Sequence, residues 1–386
     1  MDIGRPIGRA VVLGLIALSV GPVFAAPVHR RVEPRLVAAG LVPASLAVDP
    51  SPGEASDGNG ILEPGETVAV EPSWKNNATD ATLEGTADGP YGPAGADYVM
   101  ADSQSSYGTI SSGATGSCDA AADCYAISVS KPASRPATHW DISFGETLST
   151  GDATTWTMHV GDSFADVPRS NPFYKKIEAL LHSGMTSGCG ASTFCPTKDL
   201  THSDIFIFLA KAMAGGGSNI PIAGSVQTLD YLCAAGGNSL FLDVAPTDPY
   251  CKHAHYLWSR GIINPGSPPA YLLPSQRVER LEMAIWMSRA LLWSQLPAGS
   301  VLTLPGSYGP DPVTSRSYDC DPSSPSTHFT DAGPETGGIC RAAHYVWARG
   351  IVAGCSGTKF CVNDFLTRDQ MAKFLMNAFP AALNGP

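Results

Sequence analysis

The chain has 386 residues, enough for two or three domains. It carries 35 Asp and Glu against 24 scattered Lys and Arg, a formal net charge of −11, which excludes the positive footprint of a nucleic-acid binder. Only 15% of residues are charged, while Gly and Pro number 40 and 32, the balance of a loop-rich extracellular protein and not of a cytosolic enzyme.

Residues 1–25 read as a secretory signal peptide. Arg5 and Arg9 supply positive charge, Ala10–Val20 is an apolar run, and Val23-Phe24-Ala25 forms a small-residue cleavage site. The run is too short to span a bilayer, and no Cys follows it as a lipoprotein would require. No later stretch has the length and apolarity of a membrane span. A secreted or cell-surface location without membrane insertion is expected.

Residues 36–160 are turn-rich. Short alternating or aromatic segments at Thr67–Val70, Ala126–Val129, Trp140–Phe144 and Trp156–Val160 predict an all-β sandwich. Trp74, Trp140 and Trp156 lie in strand-like segments and are expected as core anchors. The stretch Ser56-Asp57-Gly58-Asn59-Gly60-Ile61-Leu62-Glu63-Pro64-Gly65-Glu66 is the most specific local feature. It resembles a loop of immunoglobulin-like modules in secreted bacterial proteins. Two readings stay open: a Ca²⁺ site with Asp57, Asn59 and Glu66 as side-chain ligands and the Ile61 carbonyl added, or an ordinary turn with Gly and Asn chosen for positive φ. No helix pair flanks the loop as in an EF-hand.

From Phe164 to Phe379 one pattern is written three times, over 164–213, 241–291 and 328–379. Aligned on Gly184, Gly261 and Gly350, each copy shows one apolar helix face: Phe173, Ile177, Leu180 and Leu181; Tyr250, Ala254, Leu257 and Trp258; Ile339, Ala343, Val346 and Trp347. The Gly falls where a helix takes a left-handed C-terminal residue, and a second helix begins near Ser203, Leu281 and Asp369. Such a unit cannot bury its own apolar face, so the copies must pack together. Phe164, Phe241 and Phe329, with Asp166, Asp243 and Asp331, are expected to be structural. Connectors at 214–217 and 296–312 separate the copies, whereas 157–164 joins the β module almost directly to the first.

All ten cysteines follow residue 25, which favours disulfides. The repeat alignment proposes Cys189–Cys195 with Cys355–Cys361 as one matched set and Cys233–Cys251 with Cys320–Cys340 as a second; Cys118–Cys124 closes a β-module loop. Zinc held by Cys251, His253 and His255 is disfavoured, because side chains two apart on a helix diverge. His255 and His344 are expected on the helix surface or in packing between copies.

The Phe-x-Asp-Val start, aromatic-aliphatic helix, Gly-Ile/Met and Thr-Arg-Asp-Gln-like second helix start resemble the S-layer homology (SLH) family, whose members usually carry three copies. The resemblance covers a little over half the chain and implies a pseudo-threefold helical bundle attached to cell-wall polysaccharide or peptidoglycan. It carries the family's binding Arg onto Arg280 and Arg368, with His202 in the first copy; Thr201 and Thr367 precede two of these, and Glu279 precedes the third. A helix N-terminus beside a guanidinium suits an anion. Thr201 and Thr367 also read as N-caps, with Asp204 and Gln370 three residues on. His202 and Glu279 weaken the first two sites, leaving Arg368 as the expected best one.

No nucleophile elbow, His-Glu-x-x-His, Walker loop or Rossmann fingerprint is present. With the resemblance, this gives the expectation of a non-catalytic envelope protein that is held to cell-wall glycan by its three repeats and displays a β-sandwich, with no oligomer required. The alternative is a disulfide-stapled scaffold or adhesin that contacts proteins and not the wall.

Overall fold

A computed structural model describes residues 40–297 and 301–386, without the Glu335 side chain. Residues 1–25, read above as a signal peptide, lie outside the described residues. The chain mixes antiparallel sheets and short helices.

Nine strands come first: β1 (Leu41–Val48), β2 (Thr67–Asn76), β3 (Ala81–Tyr91), β4 (Tyr98–Asp102), β5 (Gln104–Ile110), β6 (Thr115–Ser117), β7 (Tyr125–Val129), β8 (Asp141–Leu148) and β9 (Ala153–His159). One sheet runs β1-β2-β7-β4 with β6 also on β2; the other has β9-β8-β3-β5 in order. The two share one core, in which the Trp74 and Trp156 rings meet edge-on at 5.9 Å. Trp74, Trp140 and Trp156 are all buried. Of the strands, the sequence had indicated segments of β2, β7, β8 and β9. Of the others, β3, β5 and β6 are rich in Gly, Thr and Ser, and some of their inward positions, such as Gly85 and Ser105, are small.

Gly85 shows why small residues sit there. A Cβ on it would lie 2.2 Å from the Tyr125 hydroxyl and 2.8 Å from Glu146 Oε1. Glu146, 1% exposed, accepts hydrogen bonds from Trp74 Nε1 (3.0 Å), Trp156 Nε1 (2.7 Å), Tyr107 (2.5 Å) and Tyr125 (2.7 Å). Four donors around one carboxylate offset the cost of taking it out of water. Burial, then the adjacent Glu146 charge, pushes the Tyr107 and Tyr125 phenols up, so both stay protonated and donate.

The remaining elements are α1 (Tyr174–His182), α2 (His202–Ala214), the hairpin β10–β11 (Ala223–Val226, Leu229–Leu232), α3 (Cys251–Ser259), α4 (Arg280–Trp293), the pair β12–β13 (Ser307–Tyr308, Tyr318–Asp319), α5 (Gly338–Ala348), α6 (Arg368–Ala378) and β14 (Asn384–Gly385). β14 adds to the free edge of β9. Gly184, Gly261 and Gly350 follow α1, α3 and α5 with φ of 70°, 70° and 72°, the left-handed ending that the alignment requires.

The copies close into a ring. α3 packs on α2, α5 on α4 and α1 on α6, so each first helix lies against the second helix of the preceding copy. At the centre three backbone bonds run head to tail: Val278 N–H to the Leu200 carbonyl (2.8 Å), Leu366 N–H to that of Val278 (3.0 Å), and Leu200 N–H to that of Leu366 (2.8 Å). All three residues are fully buried. The Phe-x-Asp carboxylates act at equivalent places. Asp166 accepts from the N–H of Phe194 and Cys195, Asp243 from Leu272 and Leu273, and Asp331 from Phe360 and Cys361, all at 2.7–2.8 Å. The second residue of each pair sits at φ 56–59°, a strained conformation for a non-glycine that the paired bonds hold.

The ten cysteines form the five expected pairs: Cys118–Cys124, Cys189–Cys195, Cys233–Cys251, Cys320–Cys340 and Cys355–Cys361. Disulfides are typical of oxidising compartments. Among the described residues no helix is long and apolar enough to cross a membrane. Cys251 is thus a bridge partner. His255 and His344 are buried, which excludes the surface alternative of the two roles expected. Each ring Nδ1 lies 2.8–2.9 Å from a carbonyl four residues back, and Nε2 accepts a backbone N–H, from Leu240 (3.0 Å) and from His328 and Phe329 (2.9 and 3.0 Å). Burial holds both below the usual imidazole range, as an accepting nitrogen requires. In the first copy Glu178 takes this place and accepts from Ser163 N–H at 2.9 Å.

Candidate anion-binding groove

His202, Arg280 and Arg368 are the first residues of α2, α4 and α6, and each side chain crosses into the next copy around the ring. His202 Nδ1 lies 3.1 Å from the Leu272 carbonyl; Arg280 Nε donates to that of Phe360 (2.8 Å) and Arg368 Nε to that of Phe194 (2.9 Å). An aromatic ring of the neighbouring copy's second helix lies beside each: Trp286 by His202, Phe374 by Arg280 and Phe208 by Arg368. All three basic residues are buried, with 3–6% exposed. Burial pushes both guanidinium groups below their ordinary value, opposed by Asp364 at Arg280 and by Asp204 at Arg368; they remain charged.

The third helical residue of the neighbouring copy separates the sites. It is Glu282 opposite His202, at 3.3 Å, and Asp204 opposite Arg368, at 3.6 Å. Opposite Arg280 the equivalent residue is Gln370, which brings no charge. Arg368 is therefore neutralised within the fold, contrary to the expectation that it is the best site, and His202 has its own carboxylate. Burial would raise the Glu282 carboxyl, but the His202 hydrogen bond and the Glu279 backbone N–H hold it below the usual range. Arg280 is left without an ion-pair partner within 4 Å among the described residues.

Arg280 forms the floor of an open groove of about 280 Å³ between Phe173, the 353–355 loop, Phe365 and one face of α6. Two buried polar atoms among its lining residues have no protein partner, Arg280 Nη2 and Gln370 Oε1. Lys373 adds a second cation, its Nζ 5.8 Å from the Phe173 ring centre, and Asp364 stands on the rim. This is a concave cationic site with an aromatic wall, able to take an anionic group together with hydroxyls. The sequence placed Phe173 on an apolar helix face and Gln370 in a cap, and neither of them nor Lys373 at a binding site; the available signal was that Gln370 replaces the acid of the other two copies.

Thr201 caps α2 in a reciprocal box with Asp204, so its hydroxyl is already engaged. Thr367 makes no such cap and donates to Asp369 instead, and Gln370 does not reach back to it. Glu279 with Glu282 forms the box at α4. A larger groove of about 500 Å³ lies near Arg260 and Arg289, lined in part by Pro297 and Val301.

The 56–66 loop holds Asp57, Glu63 and Glu66 together, and Glu63 was not among the expected ligands. Arg169, from the segment before α1, supplies the cation: it pairs with Glu66 and Asp162 and lies 3.8 Å from Glu63 and 4.0 Å from Asp57. Asn59 turns its Oδ1 to the Ile61 N–H (2.9 Å) and donates to Glu63 (2.8 Å), so its oxygen does not face the carboxylates as the Ca²⁺ expectation required. Tyr174 also donates to Glu63 (2.9 Å). Burial, then the Glu66 hydrogen bond, outweighs these contacts and pushes the Glu63 carboxyl up to about 9.

No family model matches the chain, and no curated protein matches it.

Proposed function

We propose that this is a non-catalytic, exported cell-envelope protein of SLH type. Its threefold ring attaches it to an anionic cell-wall glycan and presents an immunoglobulin-like β-sandwich. The observation that carries this reading is the Arg280 groove, where a buried guanidinium with no acidic partner within 4 Å among the described residues sits beside Lys373 and an unpaired amide oxygen, with Asp364 on the rim. Wall polymers offer carboxylates or phosphates on a hydroxyl-rich chain, and the groove offers one cation for bidentate pairing, a second at its wall and an aromatic face. The head-to-tail ring of Leu200, Val278 and Leu366 further supports the bundle expected from three repeats.

The test is co-sedimentation of the oxidised protein with purified sacculi, with and without their attached polymers. Gln370→Glu installs beside Arg280 the acid that the other grooves already have. It is expected to reduce binding about tenfold or more while leaving the melting temperature unchanged, whereas Arg368→Ala weakens binding far less. Unaltered binding by Gln370→Glu would remove the Arg280 groove as the contact. No binding to any sacculus preparation would favour the scaffold or adhesin reading.

A further inference from the structure

A second cluster lies where the β module meets the first helix of the ring. His139 precedes β8, Asp141 begins β8, His159 ends β9 and His182 ends α1. Asp141 and His159 are direct cross-strand partners, and α1 brings His182 to the same point. Asp141 Oδ1 lies 3.0 Å from His159 Nδ1 and 3.1 Å from His182 Nδ1; its Oδ2 lies 3.0 Å from His139 Nε2. His139 Nε2 and His182 Nδ1 are 3.4 Å apart. One atom from each of the four residues falls within 4.8 Å of all the others.

We propose that these four residues form a closed, tetrahedral site for a borderline divalent metal of the Zn²⁺ class, fastening the β8–β9 hairpin to α1. Three imidazole nitrogens and one carboxylate are a zinc donor set. Bonds of about 2.0–2.1 Å to a tetrahedral metal place the ligand atoms ~3.3 Å apart. The two separations from Asp141 Oδ1, the one from its Oδ2 and the His139–His182 one are 3.0–3.4 Å, and the chosen atoms all lie within 4.8 Å of one another. The outer partner is in place as well. Glu178 Oε2 lies 2.9 Å from His159 Nε2, so that nitrogen carries the proton and Nδ1 is left to face the metal. Glu178 can do this because it stands where the other copies have His255 and His344: one oxygen takes Ser163 N–H, as those histidines take theirs, and the other reaches His159. His139 and His182 are 44% and 21% exposed at the side chain and give the ion an access path, while His159 is fully buried. Two carboxylates meet around three rings that carry no charge when neutral, and a dication balances them. Four protein ligands leave no open position, so the role is structural. The ten cysteines are all in disulfides and do not compete.

The test uses the oxidised chain, stripped with a chelator and titrated with ZnCl₂ by calorimetry and with Co²⁺ by visible absorption. One equivalent is expected to bind, with the intense bands of four-coordinate Co²⁺ and a higher melting temperature. His139→Ala/His182→Ala should abolish stoichiometric binding and the metal-dependent rise in melting temperature. Glu178→Gln should weaken affinity about 10–100-fold, the usual effect of losing an outer partner. If the double variant does not fold, His139→Ala alone, on the exposed ligand, decides. Failure of the wild type to bind one equivalent, or binding equally tight in the histidine variants, would overturn the proposal and leave the cluster as a proton-bridged network.

Discussion

Two buried carboxylates show how a side chain's surroundings set its behaviour. Glu146 is ringed by four neutral donors inside the β module. Glu146→Gln points an amide N–H₂ at some of those donors and leaves them unpaired. A loss of about 2–4 kcal/mol in unfolding free energy is expected by urea denaturation, from hydrogen bonds to a charged group worth about 1.5–3 kcal/mol each. Glu63 is the opposite case, a carboxyl that burial and Glu66 hold protonated, with its pKa near 9. Its raised value means that the stabilisation is complete below the unfolded carboxyl range and is lost as pH rises toward 9, because the unfolded chain releases the proton first. Between pH 5 and 9 the wild type should lose up to about 1.4 kcal/mol per pH unit relative to Glu63→Gln, which has no such proton to release. A difference that is flat with pH would show Glu63 ionised in the fold.

At the scale of the element, each copy repeats one device, an aspartate that fixes the left-handed residue before the second helix. In the first and third copies that residue is Cys195 or Cys361, so a disulfide also closes the loop; in the second it is Leu273, with no cysteine. Asp243→Ala should therefore cost more than Asp331→Ala, on the order of 2–4 kcal/mol for two charge-assisted bonds, and should free the Leu272 and Leu273 amides to hydrogen exchange. Equal costs in the two copies would mean that the short disulfides do not support the loop. The helices themselves were legible in the sequence because their apolar faces recur at helical spacing. β3 was not, because an inward position such as Gly85 is kept small by the Tyr125–Glu146 network of the neighbouring strands; β1, β4, β5 and β6 were not recognised either.

For the molecule as a whole, closure matters most. α1 lies on α6, and β14 returns to β9, so the ends of the ring are joined to each other and to the β module. Arg169, Tyr174 and Glu178 reach from the first copy to Glu66, Glu63 and His159. Calorimetry should show one cooperative unfolding transition for the described residues, and Arg169→Ala with Tyr174→Phe should split or broaden it. Two separate transitions in the wild type would mean that this joint is weak.

The sequence by itself determined the local chemistry: three repeats from their period, their helix ends from glycine, four of the five cysteine pairs from matched positions, and the tryptophan anchors from strand-like surroundings. These follow from neighbours along the chain or from self-similarity between copies. Only the tertiary structure decided which arginine has a carboxylate within 4 Å among the described residues. From the residue before each, Glu279 or Thr367, the sequence favoured Arg368; the structure reverses this through Gln370 and Asp204, each contributed by another copy across a contact between copies. The same holds for His139, Asp141, His159 and His182. They have no motif spacing, and they meet because one antiparallel pair and one docked helix bring them within bonding distance.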